Sequence, residues 1–281
     1  MNKQEVLSIL EKYGLQAKRS LGQNFLCNDD VIGDILEFAQ LDKDVTCLEI
    51  GPGLGALSEK AVLLAGKYLA VEIDTSFQQR LEDVIVKPGG YILFEDYLHL
   101  DVKDLPIPDF APDVILSNLP YYVMTPIMLK VLGDFPRCRK MVFMVEEDAI
   151  DRIFAKPRTK AYGPLSVLTD LFGSKKKCFT VEAGSFYPAP NTTSAVIVIE
   201  RKDEAAEAGQ WNPQWIGFVE SAFALRRKTL INSLSSGGKY GKEAILAALR
   251  KMGLKDSVRS EELMPEEFAG LFKILQGREE S

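Results

Sequence analysis

The sequence predicts an α/β domain, an open sheet with helices on both faces, followed by a small all-helical domain. Short β-prone runs alternate with longer helical stretches from residue 45 to about 200, and beyond Lys202 helical periodicity continues without a convincing strand. A glycine-rich bend after the first strand marks the edge at which sheets of this kind bind ligands.

Taken in order, Val45 to Ile50 reads as the first strand and Ala56 to Leu64 as the helix after it. Tyr68 to Ile73 is a second strand, Thr75 to Val84 a second helix, Tyr91 to Phe94 a third strand and Asp113 to Ser117 a fourth. Lys140 to Val145 is a fifth strand and Glu147 to Phe154 a helix, while Lys177 to Val181 and Ala195 to Arg201 are late strands suited to a hairpin at one edge. The polar stretch DEAAEAGQWNP then separates residues 1–202 from residues 203–281. Helices are expected at Trp215 to Leu225, Thr229 to Leu234, Lys242 to Met252 and Pro265 to Leu275, with Gly237, Gly238 and Gly253 as stops.

Composition narrows the function. Of 281 residues, 46% are hydrophobic and 26% charged, enough apolar material for a real core, and apolar runs are too short to span a bilayer. The N-terminal MNKQEVLSILEKYG has no apolar signal core, so a cytoplasmic chain is expected. Cys27, Cys47, Cys138 and Cys178 are scattered without a C-x-x-C pair and read as reduced thiols, and a metal site is not expected. The single histidine, His99, suits a loop better than a catalytic triad. Charge divides unevenly. Residues 1–135 carry 11 Lys and Arg against 21 Asp and Glu, a net −10, whereas residues 136–202 carry 12 against 7, a net +5. The second block includes Arg137, Arg139, Lys140, Arg152 and the run Lys175, Lys176, Lys177, a clustering that suits either a polyanion or plain solvation.

The chemistry concentrates at strand ends. Leu48 to Ala56, LEIGPGLGA, ends a strand and opens a helix, and its glycines let a ligand approach the backbone. The motif nominally fits a dinucleotide fingerprint, with Glu72 as the acid some 20 residues on. Glu49, however, suits a ligand carrying positive charge, such as the ammonium and sulfonium of S-adenosylmethionine. Glu72 stands at the end of the next strand, where a carboxylate can accept both hydroxyls of a ribose, and Asp96 ends the third, where it can accept from an adenine amino group. Ser117-Asn118-Leu119-Pro120-Tyr121-Tyr122 follows the fourth. An exocyclic aromatic amine is a weak nucleophile because its lone pair is delocalised into the ring. An enzyme that methylates one must accept hydrogen bonds from its N–H groups, which the Asn118 side-chain carbonyl and the Leu119 main-chain carbonyl can do. Tyr121 offers a face for an extruded base.

With these motifs the chain resembles the small-subunit ribosomal RNA adenine dimethyltransferases nearly end to end. The resemblance extends through Gly22-Gln23-Asn24-Phe25-Leu26, Ala161-Tyr162-Gly163, Phe186-Tyr187-Pro188-Ala189-Pro190, Leu225-Arg226-Arg227-Lys228-Thr229-Leu230 and Arg259-Ser260-Glu261-Glu262-Leu263. It implies a Rossmann-like methyltransferase domain and a helical RNA-recognition domain. Asn24, Leu26, Gly51, Glu72, Asp96 and Asn118 would then hold S-adenosylmethionine, and Asn118, Leu119, Tyr121 and Phe186 would serve the target base. The bland alternatives are a capped helix start for Asn24 and a core aromatic for Phe186. The implied reaction is dimethylation of the 6-amino group of two adjacent adenosines in a small-subunit RNA hairpin during ribosome assembly, by a monomer that needs neither metal nor membrane. Arg226, Arg227 and Lys228 would face phosphates. Two departures remove positive charge: Glu146-Glu147-Asp148-Ala149 stands where the family usually has Gln then Lys, and Asn191-Thr192-Thr193-Ser194 where it often has Lys-Val-Asp-Ser. The rivals are a large-subunit methyltransferase of the macrolide-resistance type, a non-catalytic RNA-binding factor and a nicotinamide-dependent oxidoreductase.

Overall fold

The computed structural model describes residues 1–118, 121–202 and 211–277, which form two compact units. The first comprises Met1–Met128, Arg137–Ile150 and Lys175–Arg201, and the second Leu129–Pro136, Asp151–Ser174 and Lys202–Ser281.

In chain order the elements are α1 (Lys3–Tyr13), β1 (Phe25–Leu26), α2 (Asp29–Ala39), β2 (Thr46–Ile50), α3 (Ser58–Leu64), β3 (Lys67–Glu72), α4 (Gln78–Leu81), β4 (Tyr91–Phe94) and β5 (Val114–Asn118). They continue with α5 (Tyr121–Asp134), β6 (Lys140–Glu146), α6 (Glu147–Ile153), α7 (Pro164–Phe172), β7 (Gly173–Val181), β8 (Phe186–Tyr187) and β9 (Ser194–Arg201). Four helices follow, α8 (Pro213–Phe223), α9 (Leu230–Ser236), α10 (Lys242–Lys251) and α11 (Pro265–Leu275).

Seven strands make one sheet in the order β4-β3-β2-β5-β6-β9-β7. The first five run parallel and β9 is antiparallel to β6. The expected late hairpin strands, β7 and β9, do lie side by side at one edge. Alternate residues of the inner strands serve different cores. Cys47, Ala70, Leu116, Val142 and Val196 pack in one cluster with Val6 and Leu10 of α1 and Ile32 and Ile35 of α2. Their neighbours Leu48, Leu69, Ile115, Phe143 and Ile197 point the other way and are also fully buried. Burial on both faces is why these strands read as near-continuous apolar runs.

Most predicted elements lie within two or three residues of their expected bounds. The region Thr75 to Val84, expected as one helix, is a composite: a 3-10 turn over Thr75–Phe77 capped by the Asp74 side chain, then α4, then a π turn over Glu82–Val86 closed by Lys87 N–H to the Glu82 carbonyl. Phe77, Leu81 and Ile85 are spaced by four and all fully buried. A 3.6-residue turn would rotate such a row off the core, and a wider turn keeps it there. Helices α1, α2, α5 and α7 and the small β1–β8 pair were not anticipated. Two begin on side-chain caps, Asn2 with Glu5 in a capping box for α1 and Asn28 accepting from the Asp30 and Val31 N–H groups for α2.

The second unit is helical, as expected of the C-terminal region, but it recruits earlier chain. Tyr162 packs edge-on against Phe223 and donates its hydroxyl to the Leu263 carbonyl, and Phe172 at the end of α7 meets Trp211 edge-on. Trp215, Phe218 and Phe272 form its aromatic centre. The sequence division at 202/203 therefore separates α7 from the helices α8 and α11 that it packs against.

Gly66, at the entry to β3, has no room for a side chain, because a Cβ there would lie 1.9 Å from the Lys43 carbonyl oxygen. Backbone cannot yield as a side chain can, so Gly66→Ala should cost about 2 kcal/mol or more of stability. Urea unfolding of the two proteins measures it, and an unchanged midpoint would contradict the packing described.

Candidate functional site

Parallel pairing sets the C-terminal ends of β2, β3, β4 and β5 along one sheet edge. Ile50 is level with Val71 and Ser117, and Glu72 with Phe94. The loops leaving that edge, together with Ser20 to Leu26, enclose a cavity of about 560 Å³, within the range of small-molecule sites. Asn24, Leu26, Gly51, Glu72, Asp96, Asn118 and Phe186 all line it. Leu119 lies outside the described residues. Tyr121 opens α5, and its side chain too lies outside what is described.

The glycine bend is built on left-handed backbone, with φ of +72° at Gly51, +57° at Gly53 and +80° at Gly55, a conformation that side chains disfavour. Gly51 donates to the Val71 carbonyl and Gly53 to the Glu72 carboxylate, both at 2.9 Å, so the bend is tied to β3. The other Glu72 oxygen accepts the Asp74 N–H at 2.9 Å. Burial pushes the Glu72 carboxyl up, and the bonds from Asp74 and Gly53 oppose that shift. Each carboxylate oxygen keeps a lone pair beyond these bonds for a ligand.

Asp96 is held by its own loop, one oxygen accepting the Leu98 N–H at 3.0 Å and the other meeting His99 Nδ1 at 2.9 Å. His99 is thus a loop residue, as expected, and it steadies an acid of the cavity. Asn118 donates its side-chain nitrogen to the Asn24 carbonyl at 3.5 Å, which leaves the side-chain oxygen as its acceptor. Asn24 is not a helix cap: its amide donates to the Gly22 carbonyl, and the cap of α2 is Asn28. Phe186 is both cavity wall and core, buried beside β1.

Glu49 departs from expectation. Glu49 is among the residues that line the cavity, but one of its carboxylate oxygens already accepts from the Ser58 hydroxyl at 2.8 Å and from the Tyr68 hydroxyl. Burial pushes its carboxyl up to about 7 against the pull of those two hydroxyls. Residues not singled out in the sequence also contribute. Ile73, directly after Glu72, is half-exposed on the cavity, and Phe25 forms wall while packing edge-on against Phe77. An isoleucine directly behind a strand-end acid was the available signal for the first.

Electrostatics discriminate among ligands. Glu49, Glu72, Glu95, Asp96 and Glu146 line the cavity, and among the described residues no Lys, Arg or His does. A pyrophosphate would enter such a site against Glu72, Glu95, Asp96 and Glu146, with Glu49 charged only above about pH 7, and would meet no basic side chain among the described residues, whereas a cationic nucleoside meets complementary charge and acceptors for its hydroxyls and amine. The residues present fit S-adenosylmethionine better than a dinucleotide. Among the described residues no group of Asp, Glu, Cys and His is arranged to hold a metal ion.

Elsewhere, Lys177 pairs with Glu147 and Lys176 lies 5.6 Å from the centre of the Phe38 ring, so the lysine run is partly engaged. Arg226, Arg227 and Lys228 are exposed in the turn between α8 and α9.

A family model described as ribosomal RNA adenine dimethylase matches residues 14–277. A relative called ribosomal RNA small subunit methyltransferase A, from Geobacillus sp. (strain WCH70), is 38% identical over 275 residues, covering 95% of this chain and 94% of its own. A protein of that name from Streptococcus pneumoniae (strain ATCC 700669 / Spain 23F-1) is 36% identical over 282 residues, covering 96% of each. Among solved structures, a dimethyladenosine transferase from Plasmodium falciparum superposes with a TM-score of 0.69 at 22% identity, covering 90% of this chain and 98% of that one. The 23S rRNA methyltransferase ErmE gives 0.56 at 25% identity, covering 90% and 100%. The first likeness establishes the fold alone.

Because Glu49 keeps its proton to about pH 7 when folded but only to about 4.5 when unfolded, the folded state binds more protons between those values, and stability falls as pH rises through them. Glu49→Gln removes that cost. Relative to wild type, the variant should gain on the order of 3 kcal/mol between pH 4.5 and pH 8. Urea titrations at the two pH values test it; the same offset at both would mean that Glu49 ionises normally.

Proposed function

The chain belongs to the ribosomal RNA adenine dimethylase family, and from that membership and the acid-lined cavity we infer an S-adenosylmethionine-dependent ribosomal RNA adenine dimethyltransferase. The substrate is ribosomal RNA, and the reaction places two methyl groups on the 6-amino nitrogen of adenosine. The observation that carries the cofactor is the run of strand-end acceptors in a cavity free of basic side chains among the described residues.

When bound, S-adenosylmethionine supplies an activated methyl group on a cationic sulfur. Glu72 would accept the ribose hydroxyls and Asp96 the adenine amino group, with Gly51, Asn24 and Leu26 shaping the pocket around them. Asn118 and the main-chain carbonyl of Leu119 would accept from the target amine, directing its lone pair away from the ring. Tyr121 and Phe186 would hold the extruded base between them, leaving space for the monomethylated base to return. Each transfer would form a carbon–nitrogen bond as the donor's carbon–sulfur bond breaks, and the amine would then yield one proton to water. No basic side chain is required for that loss, because an N-methylated anilinium-like nitrogen is strongly acidic.

The finer reading is two adjacent adenosines in a small-subunit RNA hairpin, modified by a cytoplasmic monomer during ribosome assembly. In it, residues 1–202 carry the transfer chemistry and residues 203–281 recognise RNA, with Arg226, Arg227 and Lys228 against phosphates. Relatedness to proteins named for the small subunit, well above that to the 23S enzyme, supports this over the macrolide-resistance type. Among the described residues no helix is long and apolar enough to cross a membrane.

Methyl transfer to unmethylated small-subunit particles, read by mass spectrometry of digested RNA, tests the function. Dimethyladenosine in small-subunit RNA is expected, and methylation confined to large-subunit RNA overturns the small-subunit reading. In the same assay Asn118→Ala should lower turnover by about two orders of magnitude or more while RNA affinity changes by less than about threefold, because the lost acceptor acts on the reacting amine. Equal losses in both would make Asn118 structural.

A further inference from the structure

One wall of the cavity, Ser20 to Leu26, comes from far away in the sequence, and between the short 3-10 turn that ends at Leu21 and the strand that begins at Phe25 it has no regular structure. Its far end is fixed by β1, where Phe25 pairs with Tyr187 and Leu26 with Phe186. Its near end has no such ladder. In the 3-10 turn over Arg19–Leu21 the Leu21 N–H bonds back to the Lys18 carbonyl, and Gly22 then turns the chain through left-handed backbone at φ +62°. Backbone bonds of this kind shape a loop without holding it to a sheet.

Asp74 does hold it. The Lys18 ammonium reaches its carboxylate at 2.6 Å, and the Gln23 side-chain nitrogen reaches the other oxygen at 2.8 Å. Gln23 closes the set by accepting the Lys18 N–H at 2.8 Å. The Asp74 side chain is only 3% exposed, whereas that of Lys18 is 46% exposed, so a buried acceptor captures a cation that would otherwise be solvated. Ser76 donates to the same carboxylate from both its backbone and its hydroxyl. Desolvation of Asp74 is outweighed by its bonds to Lys18, Ser76 and Gln23, which hold its carboxyl down at about 2. Asp74 also gives its own N–H to Glu72. One residue therefore fixes both the loop wall and the acid opposite it.

We propose that Lys18, Gln23 and Asp74 are positioning residues for the methyl donor, a latch that holds Ser20 to Leu26 against the sheet edge as a preformed wall of the cofactor cavity. The inference rests on the cavity being the S-adenosylmethionine site. None of the three transfers a group or a proton. Their bonds are made before the reaction and do not change during it, so they contribute to the ground state and transition state alike. Breaking them should weaken donor binding without slowing the transfer once donor saturates the site.

The wild-type chain is first titrated with S-adenosylmethionine by calorimetry; failure to bind would refute the cofactor reading itself, separately from the latch. Lys18→Met is then expected to raise both the dissociation constant and the KM for S-adenosylmethionine about five- to tenfold, with kcat at saturation and the KM for RNA within about twofold of wild type. Lys18→Arg should restore most of the affinity. In the cofactor-free protein, hydrogen exchange at the amides of residues 20–24 should be faster in Lys18→Met by a similar factor, with the sheet amides unaffected. Asp74→Asn should weaken donor binding at least as much, and adding Lys18→Met to it should cost little more, since the two act through one contact. Unchanged donor affinity in Lys18→Met, a fall in kcat at constant KM, or fully multiplicative losses in the double variant would each overturn the latch. Where Asp74→Asn fails to fold, Lys18→Met and Lys18→Arg decide alone.

Discussion

The site depends on the parallel register of β2, β3, β4 and β5. Parallel strands joined by crossovers bring their C-terminal ends to a common edge, so residues leaving successive strands become neighbours across long stretches of sequence. Gly51, Glu72, Asp96 and Asn118 meet for that reason. The bonds from Gly53 and Asp74 to Glu72 then fix the loops to one another, so the sheet supplies position and the loops supply chemistry.

The same logic explains what could be read in the sequence. The strand-end acids and the glycine bend were legible because each follows directly on an apolar run whose end is visible. Both cores of the sheet were legible for the same reason, since strands covered on two sides are apolar throughout. Helix α5 was hidden because Pro120 and Pro126 bracket its first turn and resemble punctuation, yet Pro126 lies inside the helix. The two-residue strands β1 and β8 are too short to show any period. The fate of Glu49 was illegible on principle: its partner Tyr68 lies on the neighbouring strand, and no local pattern reports that their side chains meet. The latch is hidden likewise, because Lys18 and Asp74 are 56 residues apart.

Charge is distributed by function more than by region. The acidic surplus of residues 1–135 includes four of the five acids of the cavity, Glu49, Glu72, Glu95 and Asp96, all carried by loops or strand ends of the parallel edge. The fifth, Glu146, ends β6, and its backbone pairs with Ser194, also on the cavity. A protein that must hold both a cationic donor and a polyanionic substrate gains from keeping these acids inside a cavity and its lysines and arginines elsewhere. The net charge of −6 averages the two and describes neither.

The helical unit takes Leu129–Pro136 and Asp151–Ser174 as well as the C-terminal stretch, and Tyr162 with Phe223 and Phe172 with Trp211 join the last two of those pieces. Its ancestry is accordingly bound to that of the α/β unit. A recombination event with a single crossover near residue 202 would deliver the C-terminal helices without α7 and without the aromatic partners they pack on. Exchange of this unit between lineages would have to move three separate segments at once, or replace the whole chain. A unit assembled in this way changes by point substitution within an inherited frame, not by the shuffling of an interchangeable module.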